Sequence, residues 1–392
     1  MLSLPIYLDY NATTPCDPRV VETMLPFFSG HFGNAASRTH LYGWQAAEAV
    51  DYAREQLARL IGSEPRELVF TSGATEAVNL ALKGVFDSYA FKGNHIITCV
   101  TEHKAVLDTC AHTEKMGAEV TYLPVNSQGL IDIKELEAAI KPNTILVAIM
   151  YANNETGTIQ PVREISRLTR EHGILFFSDA TQAVGKIPVD IMADGIDLLA
   201  CSAHKLYGPK GVGALYVRRK NPRVKLSAQI DGGGHERGLR SGTLNVTGIV
   251  GFGKAAELCL QEMEAVTKRV QLLRNKLEDA LLQTESTAVN GSREHRLPHV
   301  TNISFQFAEG EAMMMGFNKD IAVASGSACT SASIEPSHVL KALGLEDDIA
   351  RSSLRFSLGR FTTEEEIDYA IEKVTATVKK LRSENYSLQQ PK

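Results

Sequence analysis

Three observations predict an α/β protein with a mainly parallel sheet, followed by a smaller α+β region. Short apolar runs alternate with amphipathic helical stretches through the first two thirds of the chain. Most of those runs are continuously apolar, as strands covered on both faces are, and strands alternating with helices imply parallel pairing. Near Gly253 the alternation stops and one long helical pattern begins. The strand signals fall at residues 67–71, 95–98, 144–150, 174–177, 196–201 and 213–217. Between them lie helical stretches at 44–61, 75–85 and 162–172, the first with Ala46, Val50, Ala53, Leu57 and Ile61 on one face. Cys259, Met263, Val266, Val270, Leu273, Leu277 and Ala280 then recur at three- and four-residue steps, predicting a helix that bridges two domains. A strand at 300–307, a small-residue stretch at 322–333 and a charged helix at 363–382 follow. We expect a large α/β domain at 15–255 and a small α+β domain at 256–392. The latter would take in the N-terminal segment 1–14 and a mobile loop at about 322–334.

With 392 residues, 44% apolar and 22% charged, the chain can bury two cores, and its composition excludes disorder and coiled coil. A net charge of −5 argues against nucleic acid or an anionic membrane as the main partner. No basic leader precedes Asp9, and no apolar run reaches the roughly 18–20 residues of a membrane span. Six cysteines without C-x-x-C spacing fit reduced thiols better than a disulfide framework or a metal site, so a cytoplasmic location is expected.

Three positions carry chemistry when read together. Residues 71–76 (TSGATE) join a strand to a helix, and the N–H groups of Ala74, Thr75 and Glu76 would form an anion cradle there. The competing reading is an ordinary helix cap. Asp179 ends the apolar run 173–178, at the strand end where open α/β sheets bind ligands, although it could equally cap the next segment. Lys205 follows the apolar run 197–202; desolvating an ammonium lowers its pKa and makes the amine a Schiff-base nucleophile. A surface lysine with a buried stem is the bland alternative. A phosphate cradle, a carboxylate and a lysine are the three handles of pyridoxal 5'-phosphate.

The motifs YLDYNATTP (7–15), TSGATE (71–76), TEHK (101–104), NNE (153–155), DATQ (179–182) and SAHK (202–205) resemble those of the cysteine desulfurases. So do GGGHERG (232–238), SGSACTS (325–331) and RFSLGR (355–360), and the match runs in order along nearly the whole chain. The resemblance is to the NifS/IscS type of the class V aminotransferase family, which implies the fold type I of pyridoxal-phosphate transferases. It implies that Lys205 holds the cofactor and shuttles the substrate α-proton. Asp179 would pair with the pyridinium nitrogen, His103 stack on the ring and move protons, and Gln182 hydrogen-bond the ring oxygen. Ala74, Thr75, Ser202 and His204 would bind the phosphate, with Thr243 reaching in from a second subunit. Asn154 and Arg355 would take the substrate carboxylate.

Cys329 sets the reaction class. Its neighbours, Ser325 to Ala328 and Thr330 to Ser333, are small and polar, which suits a mobile tether better than a packed core. By the resemblance its thiolate takes sulfur from L-cysteine as a persulfide and leaves alanine. The partners implied are a second copy of the chain and a sulfur acceptor such as an iron–sulfur scaffold, with tRNA thiolation as a second destination. Neither direct nucleic-acid nor membrane binding is expected, and no metal site beyond a transient iron–sulfur contact at Cys329. Ala203 stands where many relatives have glycine, and the chain lacks the longer C-terminal tail of many housekeeping members. The rivals weighed are selenocysteine lyase, an aminotransferase on the same fold, a non-catalytic assembly partner and a nucleotide-binding oxidoreductase. The last lacks its glycine fingerprint.

Overall fold

The computed structural model describes residues 2–325 and 335–389, with side chains to 384. Strand β1 (Ile6–Tyr7) opens the chain. The main sheet holds seven strands: β2 (Leu68–Thr71), β3 (His95–Cys99), β4 (Glu119–Leu123), β5 (Thr144–Ala148), β6 (Leu175–Asp179), β7 (Leu198–Ser202) and β8 (Gly213–Val217). Their spatial order is β2-β8-β7-β6-β5-β3-β4. β7, β6, β5, β3 and β4 run parallel, while β8 lies antiparallel between β2 and β7. Every residue of β2, β3, β5, β6, β7 and β8 is buried, which is why these strands read as unbroken apolar runs. β4 escaped the sequence reading for the opposite reason. It is an edge strand with only Leu123 buried, so its apolar signal is weak.

Two apolar clusters cover the faces of this sheet. One joins Leu57 and Ile61 of the helix Leu41–Ile61 to Phe176 and Tyr216, and the other joins Val78 and Leu82 of the helix Ala74–Ser88 to Phe177 and Leu215. The long helix, Val246–Leu281, starts earlier than its periodicity suggested. Its first half, with Ile249, Phe252 and Cys259, enters the first cluster. Its second half, with Val270, Leu273, Leu277 and Leu281, enters a third cluster with Phe305, Phe356 and Val374.

That third cluster covers a smaller sheet of β9 (Thr287–Val289), β10 (Val300–Phe305), β12 (Ala324–Ser325) and β13 (Ser353–Ser357), ordered β12-β13-β10-β9 and antiparallel throughout. Between β10 and β12, β11 (Ile321–Ala322) pairs in parallel with β1, and Ile6 and Leu8 bury themselves in the same cluster. The closing helix is Glu364–Gln389, longer than the charged stretch that announced it.

Candidate active site

A cleft of about 610 Å³ opens at the carboxyl ends of the parallel strands. Ten of the twelve sequence-predicted site residues line it: Ala74 and Thr75; His103; Asn154; Asp179 and Gln182; Ser202, His204 and Lys205; and Arg355. Successive strand ends supply them, and β13 of the smaller sheet adds Arg355. Thr243 is exposed and off this cleft. Cys329 lies outside the described residues.

The donor set fits pyridoxal phosphate. The helix Ala74–Ser88 is preceded by Gly73, and no side chain among the described residues caps its first N–H groups. A Cβ on Gly73 would meet nothing nearer than Ser202 Oγ at 4.0 Å, so a side chain there would fill the space between the helix end and that hydroxyl. Uncapped N–H groups facing a hydroxyl across open space form a phosphate cradle. His204 stands beside it, its Nδ1 3.1 Å from Thr13 Oγ1. Burial, helped by Lys205 and Lys210, pushes the His204 imidazole down to about 4, so it is neutral at physiological pH.

Asp179 is buried at the end of β6; its Oδ1 accepts from Thr181 N at 3.0 Å, and Oδ2 receives no hydrogen bond among the described residues. A carboxylate with one oxygen committed and one facing a cleft suits a protonated ring nitrogen. Lys205 is half-buried rather than buried as its sequence context implied. The chain turns after β7 into a short helical turn, Ala203–Lys205, and the amine donates to Asn11 O at 2.5 Å and Ala12 O at 2.7 Å. These carbonyls offset desolvation of the amine from outside its own strand. His103 caps the helix Lys104–Lys115, its Nδ1 accepting from Ala105 N at 3.1 Å, so the backbone fixes the ring at the cleft wall.

Arg355 is buried, donating from Nη1 to Asn154 O at 3.0 Å and from Nη2 to Asp9 Oδ1 at 2.6 Å. Its guanidinium is thus held by both layers of the molecule before any carboxylate arrives. Replacing a fork with a point charge keeps the pairing with Asp9 but loses planar recognition. Arg355→Lys is therefore expected to raise KM for the amino-acid substrate roughly tenfold or more, the size of one charge-assisted bond, with kcat changed less. Steady-state kinetics check it, and an unchanged KM would remove Arg355 from the carboxylate site.

Asn11 and Glu155 stand within sequence motifs that mark no role for either. Asn11 is 1% exposed and joins the cleft to both sheets: its N donates to Ser357 Oγ, its Nδ2 to Asn154 O, and its O accepts from Lys205 and Gln182. Neither charge nor periodicity marks such a residue. Glu155 accepts from Ser337 Oγ at 2.5 Å, just beyond the undescribed segment. Burial pushes the Glu155 carboxyl up to about 7, against the pull of Ser337 and Arg355.

The folded protein therefore keeps a proton on Glu155 that the unfolded chain releases near pH 4.5, and stability from this site falls as pH rises from 4.5 through 7. The loss is roughly 3 kcal/mol at 1.36 kcal/mol per unit. Denaturant titrations at pH 5 and 8 should show this component in the wild type and not in Glu155→Gln.

The fold and the cleft define a class of protein, and the chain belongs to it: the aminotransferase class-V family, whose model matches residues 6–370. Within that class it is of the cysteine desulfurase kind, NifS/IscS type, and its cofactor is pyridoxal 5'-phosphate. It is 60% identical over 383 residues to cysteine desulfurase IscS of Proteus mirabilis (strain HI4320), covering 97% of this chain and 94% of the relative. It is 58% identical over 382 residues to cysteine desulfurase IscS of Anaeromyxobacter dehalogenans (strain 2CP-C), with the same coverage. Among solved structures, a NifS-like protein superposes with a TM-score of 0.89 at 38% identity, covering 96% of this chain and 100% of that one.

Proposed function

We propose that the chain converts L-cysteine to L-alanine and holds the released sulfane sulfur as a persulfide on Cys329, for delivery to iron–sulfur cluster assembly. The observation that supports this most is the single cleft in which ten of the residues named from the sequence meet. When bound, pyridoxal phosphate supplies an electron sink for the carbon skeleton of the substrate. Lys205 holds the cofactor and moves the α-proton, Asp179 keeps the ring nitrogen protonated, and His103 walls the ring and serves proton transfer. Ala74, Thr75, Ser202 and His204 bind the phosphate, and Arg355 with Asn154 orients the substrate carboxylate.

The Cys329 thiolate attacks the sulfur of the bound cysteine. A sulfur–sulfur bond forms as the carbon–sulfur bond breaks, and the electron pair of that bond stays with the three-carbon fragment, which takes up protons and leaves as alanine. Four buried cysteines elsewhere in the chain are poor rivals. Burial pushes the thiols of Cys99, Cys110 and Cys201 up to about 12 and that of Cys259 to about 11, keeping them protonated.

We take residues 15–255 as the cofactor-binding domain and the remainder as the small domain. Phe28, Phe32, Tyr42 and Trp44 are each more than half exposed along one segment, an apolar surface that suits burial against a second copy. A homodimer would also give the exposed Thr243 a phosphate to bind. No helix of the described residues is long and apolar enough to cross a membrane. A cytoplasmic enzyme passing sulfur to a scaffold protein, and secondarily to tRNA thiolation, agrees with the free thiols at Cys16, Cys99, Cys110, Cys201 and Cys259.

The test is a visible spectrum of the purified protein before and after L-cysteine, with sulfide and alanine assayed under reductant. A band that responds to cysteine, with equal sulfide and alanine, is expected. A coloured protein that yields no sulfide would return the chain to the aminotransferases.

A further inference from the structure

Lys186 does not line the cofactor cleft, yet it touches two residues that decide what the cleft presents. It lies in the turn after β6, with its N donating to Ala183 O and its O accepting from Thr267 Oγ1 of the long helix. Its Nζ donates to Gln182 Oε1 at 2.7 Å and lies 3.4 Å from Asn11 Oδ1. Behind it is a cavity of about 30 Å³, shared with His299 and Arg360 and large enough for about one water.

The amide of Gln182 is thereby gripped at both ends. Lys186, which as an ammonium can only donate, faces its oxygen; the carbonyl of Asn11, which can only accept, lies 3.1 Å from its nitrogen. Turning the amide over would set donor against donor and acceptor against acceptor. Asn11 is fixed in the same way: its Oδ1 faces Lys186 and His299 Nε2 at 2.8 Å, and its Nδ2 donates to Asn154 O. His299 is buried, and its Nδ1 has no hydrogen-bond partner among the described residues, so Nε2 carries the proton toward the Asn11 oxygen.

We infer that Lys186 is a positioning residue that locks the Gln182 amide so that an N–H, never the oxygen, points into the cleft. The inference rests on the reading of Gln182 as the donor to the ring oxygen of pyridoxal phosphate. The lock is strongest with Lys186 as the ammonium, which only donates; the carbonyl of Asn11 holds the Gln182 nitrogen whichever form the amine takes. The charged and titratable groups around it are Lys205 and Arg355, which repel it, Arg360 across the shared cavity, the protonated Cys259 thiol, and His299.

A donor at the ring oxygen draws negative charge from it and lowers the pH at which the lysine–cofactor linkage gives up its proton. The readout is therefore the pH midpoint of the cofactor's visible band in the purified holoenzyme, recorded without substrate. Lys186→Met is expected to raise that midpoint by roughly half a unit to one unit, the size of one hydrogen bond. Gln182→Ala is expected to do the same, and the double variant to shift no further than either single one, since both remove the same contact. Lys186→Arg, which keeps donors on a stem of similar length, should hold the midpoint within a few tenths.

A Lys186→Met midpoint equal to wild type, with Gln182→Ala shifted, overturns the inference alone. An unshifted Gln182→Ala overturns the ring-oxygen reading and the inference with it. Additive shifts in the double variant would make Lys186 a general structural residue and also overturn it. Should Lys186→Met fail to fold, Lys186→Gln, whose amide stops short of Gln182, serves in its place with the same expected shift.

Discussion

Lys205→Ala is expected to abolish the covalently held visible band and to lower cysteine turnover by on the order of 10²–10⁴-fold, the range for loss of a positioned acid–base group. Two functions disappear at once, attachment of the cofactor and transfer of the substrate α-proton. The surroundings are not expected to collapse. Lys205 is half-buried, and its partners Asn11 O and Ala12 O are backbone carbonyls at the cleft, which water can reach once the side chain is gone. Asn11 O also keeps its contact with Gln182 Nε2. The variant should thus fold, retain the phosphate cradle at Gly73 and bind pyridoxal phosphate noncovalently. Absorption spectra and mass spectrometry after borohydride reduction check the attachment. A variant that is still reduced onto the chain at another lysine would displace Lys205 from its role.

Cys329→Ser is expected to leave the cofactor band and its response to cysteine in place while lowering sulfide release by on the order of 10³-fold or more, as loss of a covalent nucleophile does. The described residues that precede Cys329 in the chain pair with the strand that carries Arg355. β12 ends at Ser325, which pairs with Leu354, the residue before Arg355 in β13. Cys329 is four residues on, within about 14 Å of Ser325 at full extension. After the segment, Ser337 is tied to Glu155. Stoichiometric persulfide labelling, present in the wild type and absent in Cys329→Ser, identifies the atom. Undiminished turnover in the variant would favour an aminotransferase, which has no use for this thiol.

The buried strands were legible because each is apolar from end to end, and the helices Leu41–Ile61 and Val162–Glu171 because one face of each is apolar. β4 was not legible, since of its five residues only Leu123 is buried. The antiparallel insertion of β8 was equally hidden: its residues Gly213 to Val217 look like any other buried strand, and direction is not a property of composition.

By itself the sequence determined the family and the cofactor and named ten of the residues that line the cleft, because those residues are chemically unusual at strand ends and stand in recognisable motifs. Only the tertiary structure decided how they are held. Asn11, Lys186 and Glu155 act through partners distant in the chain, His299, Thr267 and Ser337 among them. It also showed Arg355 already paired with Asp9 across 346 residues of chain. A hydrogen bond depends on where two groups end up within about 3 Å, and for residues far apart in the chain only the completed fold sets that distance.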